Sequence, residues 1–508
     1  MEEDASSYFK LAFHQLRCAP RLIIPFLIAE SLSYTMMLTG IFFLVLFSLP
    51  VLGMIIPIIE GNQDLISKIM TEEGTSNITE IQGLEKAFSG LIPEMLYLFM
   101  ILILIYIVMS IIYFILNSWA RAGTIGYAWQ GVTSTLDFRN FISYAGQGVY
   151  RIAGLWILII IFSIILFLIP FSTLVLIPSP INIIVFILSF LLFFILWVIA
   201  MFLLIFTEEC IVIENKGIID AIKRSKEIAS GNLGNILVFT IIAAAAFIIF
   251  FIVSGIFDLL AGIFNSSASA FFALISLVIL TPWIQLAKLD FFLDRTGRTT
   301  IIMDKEIEII KTAKEFVRES PQILVNFVRN NIIYILVALF FYWGGFGVGY
   351  YLGHSLSFLS DDILKLLLHI RETKSIGPYI SMPVIDFIEY FSNNSLVGIN
   401  TGLGGLFLGI PSVLGIIVTG AVTGVFYGLF PAKVATAFLA VHGILEVTGF
   451  VIIAAAGIRL GVGFIKDMPG KYELIDDTLK VVLAALLLIA IAAFLEAFIT
   501  PIVISLLI

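Results

Sequence analysis

The chain has 508 residues, of which 60% are hydrophobic and only 13% are charged, whereas soluble globular proteins are about half apolar and about one quarter charged. These proportions exclude an ordinary soluble protein and indicate one that crosses a membrane several times. The formal net charge of −8 argues against a nucleic-acid partner, which would favour a basic chain.

Apolar stretches long enough to cross a bilayer recur along almost the whole chain. A spanning helix needs about 20 apolar residues, and long uninterrupted runs favour helices over the short alternating strands of a membrane barrel. The sequence therefore predicts an all-α, polytopic helical membrane protein with about eleven transmembrane helices. The predicted spans lie near residues 22-56, 94-117, 152-177, 181-206, 236-263, 271-287, 332-353, 395-410, 412-430, 433-458 and 481-501.

Basic residues predict the orientation of the chain, because Lys and Arg concentrate in cytoplasmic loops. With the N-terminus inside, the predicted inner segments hold 22 of the 28 Lys and Arg residues. This distribution predicts a multi-pass protein of the cell membrane with a cytoplasmic N-terminus and an outer C-terminus. It also favours two short spans in 395-430, hinged at Pro411, since a single span would place the basic stretch from Arg459 to Lys480 outside.

A similar cytoplasmic segment precedes the first, third, fifth and seventh spans. The four segments read SSYFKLAFHQLRCAPR, DFRNFISYAGQGVYR, GIIDAIKRSKEIASGNLGN and TAKEFVRESPQILVNFVRN. In the first, one helical face carries Phe9, Ala12, Phe13 and Leu16, while Lys10, His14 and Arg17 lie elsewhere. This pattern predicts amphipathic helices in the membrane interface. They are interpreted as turns that lead the chain into the bilayer, with docking of a cytoplasmic partner as the alternative.

The composition of the chain changes near residue 330, since 21 of the 39 glycines lie in the last 178 residues. This change predicts two membrane domains. The first, 1-290, has six spans, and the second, 332-508, has five spans and is rich in glycine. Between them, 291-331 is predicted to be a charged cytoplasmic helical linker.

Many of the late glycines are spaced four residues apart, in the manner of a glycine zipper. They are Gly345, Gly349 and Gly353; Gly398 and Gly402; Gly405 and Gly409; and Gly420, Gly424 and Gly428. This spacing clears one helix face of side chains, and close backbone approach is how helices associate in lipid. The sequence predicts a tight bundle within one subunit. Contact between copies in a homo-oligomer and a pore lined by glycine faces are the alternatives.

Three ionisable residues lie deep in the predicted spans of the C-terminal domain, where such side chains are costly and usually face a bundle interior or a cavity. At about 1.5 Å per residue, His442, Glu446 and Glu496 lie ~20–26 Å above the cytoplasmic ends of their helices. They therefore occupy one layer. Asn400, in the short eighth span, is deep enough to join it.

Three interpretations of this layer stay open. His442 and Glu446 share a helix face at positions i and i+4, and consecutive spans joined by a short loop tend to pack side by side, so Glu496 can reach them. The group is a hydrogen-bonded polar network, a proton or ion site, or a site for a divalent metal such as zinc with His442, Glu446 and Glu496 as ligands. The sequence lacks the HExxH of a zinc protease, and the protein is expected not to be an enzyme.

Several separated motifs in the C-terminal third carry a resemblance to a known family. They are FSNN at 391-394, HGILE at 442-446, AAAGIRLG at 454-461 and LEAFITP around Glu496. Through them, residues 320-508 resemble the stage II sporulation protein M family. The resemblance implies a five-span membrane domain. In spore-forming bacteria such proteins are membrane scaffolds that recruit cell-wall hydrolases during engulfment, and the wider family also occurs in prokaryotes that never sporulate.

The N-terminal spans carry a fainter resemblance. The segment EECIVIENKGIIDAIKRSKEIASGN, before the fifth span, is similar to the membrane domain attached to some glycerophosphodiester phosphodiesterases. No phosphodiesterase catalytic domain accompanies it, so that activity is not expected.

The function expected from these observations is membrane scaffolding or membrane remodelling through a protein partner of unknown identity. The alternative is a transporter or channel that passes an ion or small solute through the C-terminal bundle and uses the layer of His442, Glu446 and Glu496. A short, glycine-rich span interrupted at Pro411 is typical of the midplane sites of transporters, which keeps this alternative open.

Overall fold

A computed structural model describes residues 5–60, 92–133, 137–263, 266–298, 307–360 and 382–507. These residues form α-helices joined by short turns and contain no strand. The predicted all-α fold is therefore confirmed.

The helices are numbered α1 to α17 in chain order. The first ten are α1 Ala5–Cys18, α2 Ile24–Glu60, α3 Ile92–Thr133, α4 Phe138–Leu176, α5 Ile181–Leu203, α6 Thr207–Val212, α7 Ile218–Gly231, α8 Leu233–Ile263, α9 Ser269–Ile275 and α10 Thr281–Arg295. The other seven are α11 Ile309–Asn330, α12 Ile332–Ser355, α13 Pro383–Leu403, α14 Ile410–Leu429, α15 Ala432–Ile465, α16 Glu473–Phe498 and α17 Thr500–Leu507.

Within the described residues, ten helical segments are long and apolar enough to cross a membrane, where the sequence predicts about eleven. The predicted span without a counterpart among the ten is the eighth, 395-410. Its residues fall in α13, which begins earlier, at Pro383, and carries Asp386 and Glu389 near its start. These polar residues lower the hydropathy of α13 below that of the other spans.

The packing of α13 nevertheless gives it the direction that the predicted topology requires. Gly398 lies against Leu486 of α16, while Gly402, one turn later, lies against Val482, one turn earlier. The two helices are therefore antiparallel. A helix of 21 residues is about 31 Å long at 1.5 Å per residue, which is the thickness of the hydrocarbon core.

The break between the two predicted short spans lies upstream of Pro411, where the sequence places the hinge. After α13 the chain makes a short 3-10 turn, Gly404–Leu406, and then passes through Leu408 and Gly409, whose φ angles are 60° and 76°. Pro411 sits in the first turn of α14, where the missing N–H of proline costs no hydrogen bond. The break therefore comes from the left-handed residues and not from the proline.

The chain forms two compact units that interleave in the sequence. The N-terminal unit comprises Met1–Ala29, Phe114–Ile252 and Ile275–Ile309, and the C-terminal unit comprises Glu30–Tyr113, Val253–Leu274 and Ile310–Ile508. The predicted domains instead follow one another along the chain, with boundaries at 290 and 331, and this division stays a prediction about which parts fold independently. Residues 299–306 of the predicted linker lie outside the described residues.

In the N-terminal unit, the apolar face of α1 is buried against protein. Phe9 is 4% exposed and stacks on Phe239, and its carbonyl accepts a hydrogen bond from the indole N–H of Trp283 in α10 at 2.7 Å. Gln15 donates to Asp290, also in α10, at 3.0 Å. The sequence predicted the amphipathic helix, but its face contacts α10 where lipid was expected; Phe13, assigned to the same face, is 49% exposed.

The other three segments that are predicted to be cytoplasmic differ from one another. Two form separate helices, α7 and α11. The segment DFRNFISYAGQGVYR is instead the first part of the continuous helix α4. No proline or helix-ending turn separates Arg151 from the span that follows, so the helix continues into it.

Candidate functional site

The candidate site is built on α15, a helix of 34 residues in the C-terminal unit. It begins after Pro431, and two of its polar residues, His442 and Glu446, are one turn apart. His442 is buried, with 5% of its surface exposed, and the side chain of Glu446 is 23% exposed. The His442 Nε2 atom lies 3.8 Å from Glu446 Oε2.

Glu496, in the last turn of α16, completes the group. The antiparallel packing of α15 and α16 places Gly449 against Ile489, and Glu496 follows Ile489 by two turns, on the side of His442. One ligand atom from each of His442, Glu446 and Glu496 lies within 4.8 Å of the other two. The structure thus brings together the three residues that depth along the helices had grouped.

A hydrogen bond with Thr500 orients the His442 ring. The Thr500 hydroxyl donates to the carbonyl of Leu495 at 3.3 Å and lies 3.1 Å from His442 Nδ1. In the tautomer with its proton on Nδ1, the ring donates to the hydroxyl oxygen. A neutral ring with its proton on Nδ1 has a lone pair on Nε2, and Nε2 is the atom that faces Glu446.

Asn394, on α13, fixes the other side of the site. Its amide nitrogen donates to Glu446 Oε1 at 2.9 Å, which orients the carboxylate and leaves Oε2 toward His442. Sequence reasoning did not assign Asn394 or Thr500 to the site. The motif FSNN contains Asn394, and the motif LEAFITP contains Thr500, so both residues lay in segments that the sequence had marked. The hydrogen bonds run between helices, however, and cannot be predicted from residue spacing.

The three predicted residues present electron-rich atoms to one another. His442 Nε2 and Glu446 Oε2 are both acceptors when the neutral ring carries its proton on Nδ1, and no described residue donates a hydrogen bond to Glu496. Two carboxylates that face a lone pair within a membrane domain are costly unless a positive charge lies between them. The arrangement can therefore hold a proton shared among the three groups or a cation.

The structure places Asn400 apart from this group. Asn400 is buried, and its side-chain oxygen accepts from the Ser31 hydroxyl of α2 at 3.3 Å. It follows Asn394 by six residues on α13, about 9 Å along the helix at 1.5 Å per residue. Asn394, not Asn400, is the α13 residue that contacts the predicted site.

Two further carboxylates lie near the group at the start of α13. Asp386 accepts from the Ser266 hydroxyl, and Glu389 accepts from the backbone N–H of Ser267 at 2.9 Å. Both are close enough to Glu496 to interact with it electrostatically. Asp386 and Glu389 are three residues apart and share a face of α13.

The two glutamates are expected to be coupled in stability. In a double-mutant cycle, the effects of Glu446→Gln and Glu496→Gln on thermal stability should depart from additivity by on the order of 1 kcal/mol, because residues in one network do not act independently. The exposed Glu315→Gln of α11, combined with Glu446→Gln, is the additive control. Additive losses in the first pair would show that the glutamates do not share a network.

The comparison with known protein families concerns this same part of the chain. The family model for stage II sporulation protein M matches residues 336–501, a range that contains His442, Glu446, Glu496, Asn394 and Thr500. An uncharacterized protein of Methanocaldococcus jannaschii is 30% identical over 161 residues, which are 30% of this chain and 88% of that relative. The chain belongs to the stage II sporulation protein M family. No solved structure matches it significantly.

The stage II sporulation protein M match begins within α12 and ends just after α16, so it spans the five helices that the sequence predicts for the C-terminal domain. The resemblance of the N-terminal spans to a phosphodiesterase membrane domain lies outside the match and stays a prediction. The match covers most of the Methanocaldococcus jannaschii relative, 88% of its length. The features shared across the family are therefore to be sought in α12 to α16.

Among the described residues of this stage II sporulation protein M region, the most closely packed helix pair is α12 with α14. A side chain at Gly345, Gly349 or Gly353 would collide with a backbone carbonyl of α14, namely Ile417, Ala421 or Val425. The relation is reciprocal, because Gly420, Gly424 and Gly428 of α14 lie against carbonyls of α12. Because the residue numbers of the contacting pairs increase in the same direction along both helices, the two helices are parallel. The chain must therefore cross back between the end of α12 and the start of α14.

Proposed function

We propose that this protein is a non-enzymatic membrane scaffold of the stage II sporulation protein M type that acts through a protein partner. The observation that carries the proposal is the backbone contact between α12 and α14. Small residues at helix interfaces allow close approach, which strengthens van der Waals packing and permits Cα–H···O contacts. A pair held along three successive turns is a stiff element, and stiffness is what a platform for other proteins requires.

The same contact favours a scaffold over a pore. Each glycine face of this pair is filled by the backbone of the neighbouring helix, so water has no room between them. In addition, α15 is buried over most of the stretch from Gly449 to Gly463, which indicates that the middle of the bundle is occupied by packed side chains.

A flux measurement tests the scaffold proposal directly. The purified protein, reconstituted into liposomes that contain a pH-sensitive or zinc-sensitive dye, should pass protons and zinc no faster than liposomes without protein. Gramicidin and a zinc ionophore serve as positive controls for the two dyes. A flux above background that disappears in Glu496→Gln would replace the scaffold with a transporter.

The partner is sought by crosslinking in native membranes. Crosslinking of intact cells should trap the chain in a complex that contains a second, different protein, identified by mass spectrometry. Recovery of complexes that contain this chain alone would instead support a homo-oligomer formed through glycine-rich helix faces. Recovery of the monomer only, under conditions that crosslink a known membrane complex of the same cells, would contradict the proposal.

We further propose that His442, Glu446 and Glu496 bind a divalent cation such as zinc. One imidazole nitrogen and two carboxylates form a ligand set that zinc accepts, and the two negative charges of the carboxylates balance the two positive charges of the ion. The hydrogen bonds from His442 Nδ1 to Thr500 and from Asn394 to Glu446 are the outer contacts that orient metal ligands. In this role the ion stabilises the contact of α13, α15 and α16.

A specific observation also supports the alternative of ion transport. The carboxylates of Asp386 and Glu389 lie near Glu496, which accepts no hydrogen bond from a described residue. A series of acidic groups that leads to a buried site is suited to deliver a cation or a proton. The liposome experiment separates the two functions, because a scaffold retains its ion while a transporter releases it on the other side.

A further inference from the structure

A second polar site lies in the N-terminal unit, in a cavity of about 220 Å³. Residues from α2, α3, α6 and α10 line it. Its apolar wall includes Phe26, Ile125 and Leu289. Its polar wall consists of Asn117, Arg121, Thr124, Glu208, Glu209, Thr281 and Gln285. No role in the scaffold or in the cation site uses these residues.

The charges around this cavity are paired with one another. Glu208 accepts from Arg121 at 3.1 Å and from the indole N–H of Trp156 at 2.8 Å. Glu209 forms an ion pair of 2.8 Å with Lys288 through Oε1. Two carboxylates therefore face two cations, and the wall of the cavity is electrically balanced.

One polar atom in the wall lacks a partner. Glu209 has a side chain that is only 3% exposed, and its Oε2 atom accepts no hydrogen bond from any described residue. A buried acceptor without a donor costs roughly 1–3 kcal/mol. Because Oε2 is fully covered, a ligand is held instead by the polar side chains of the wall that are at least partly exposed, those of Asn117, Thr281 and Gln285.

The chemistry of the wall selects the class of ligand. Asn117, Gln285 and Thr281 each offer both a donor and an acceptor, so they match groups that do the same. A ligand with a net charge would add an unpaired charge to a balanced site, which is expensive at low polarity. Hydroxyl groups donate and accept, and they are uncharged.

We propose that this cavity binds a small neutral polyhydroxylated group, whose hydroxyls pair with the side chains of Asn117, Thr281 and Gln285. Two sources share this chemistry: the head group of a neutral glycolipid and a free polyol. The sequence places the cavity at the predicted cytoplasmic ends of the spans, since Asn117 ends the second span and Glu208 follows the fourth. A group at that level is reached from the bilayer and from the cytoplasm. The proposal does not rest on the scaffold function.

Binding is tested with the full-length protein in nanodiscs. Methyl-β-D-glucoside is titrated calorimetrically into protein in phosphatidylcholine nanodiscs, and the thermal midpoint is compared with that in nanodiscs that also contain monoglucosyl diacylglycerol. Asn117→Ala and Gln285→Ala should each weaken binding about fivefold, which corresponds to the loss of one neutral hydrogen bond. Gln147→Ala is the control, because Gln147 is exposed and its amide bonds only to Ser143.

Each outcome bears on the proposal. Calorimetric binding of the glucoside supports a free polyol, and a higher thermal midpoint with the glycolipid alone supports a lipid head group, provided that Asn117→Ala removes the effect. Binding of choline or phosphoethanolamine in preference to the glucoside would overturn the assignment of a neutral ligand. Absence of any response, or a response unchanged in both cavity variants, would overturn the site itself.

Discussion

Gly349→Ala should lower the thermal stability of the protein strongly, while Gly347→Ala on the same helix should leave it almost unchanged. A Cβ atom at position 349 meets the carbonyl of Ala421, which belongs to the backbone and cannot move aside alone. The helices must separate, and overpacking of this kind costs about 1–3 kcal/mol. Gly349→Leu should prevent folding. The measurement is the thermal midpoint in detergent and the yield of monodisperse protein.

Gly347→Ala is the matched control for Gly349→Ala, because nothing lies within 4 Å of a Cβ atom built at Gly347. Both substitutions add one methyl group to α12 and raise its helix propensity equally, so any difference between them comes from the contact with α14. Ala421→Gly would not relieve the clash, since the obstacle is the carbonyl. Equal stability of the two alanine variants would contradict the close packing of α12 and α14.

Protein purified without chelators and without a histidine tag should contain about one zinc or similar divalent ion per chain if the three ligands bind as proposed. His442→Ala and Glu496→Gln should reduce this to background, since each removes one ligand of three. Thr500→Val should weaken binding by about 10- to 100-fold, the range found when the outer partner of a ligand is lost. The measurement is elemental analysis by mass spectrometry.

The matched control is His354→Ala, because His354 is an exposed histidine at the end of α12 and belongs to no candidate site. It should retain the ion. Removal of the ion by a chelator should lower the thermal midpoint of the wild type and leave that of Glu496→Gln unchanged. Wild-type protein without metal, or metal that persists in Glu496→Gln and is lost in His354→Ala, would remove this proposal.

Much of the fold could be predicted because a bilayer leaves few choices. An uninterrupted apolar run must be a helix, and its length must match the hydrocarbon thickness, which is why most predicted spans overlap helices of the structure. α13 shows where this reasoning ends. Hydropathy describes contact with lipid, whereas the residues of α13 from Gly398 to Leu403 are buried against protein. A helix surrounded by other helices can carry polar residues without contacting lipid.

The candidate site was predictable to the same extent and for a related reason. Depth along a helix follows from residue counting, so His442, Glu446 and Glu496 could be grouped. Asn400 met the same criterion of depth, but its rotation around α13 turns it to Ser31. Which way a helix faces depends on its neighbours, and so Asn394 and Thr500 required the structure.

α1, in the N-terminal unit, shows the same limit of prediction from sequence. Its periodicity predicted a buried face correctly, and Phe9 and Leu16 are indeed covered. Periodicity indicates only that a face avoids water, however. The same pattern is expected whether that face contacts lipid or a protein helix such as α10.

The return of the chain between α12 and α14 has a consequence for biosynthesis. α13 is not among the helices apolar enough to enter a bilayer by composition, and α15 and α16, two of the helices against which it packs, are synthesised after it. At the translocon α13 meets lipid without them, and its Asp386 and Glu389 oppose entry. Its stable insertion therefore depends on the two helices made after it, and a chain truncated before α15 would leave α13 outside the hydrocarbon.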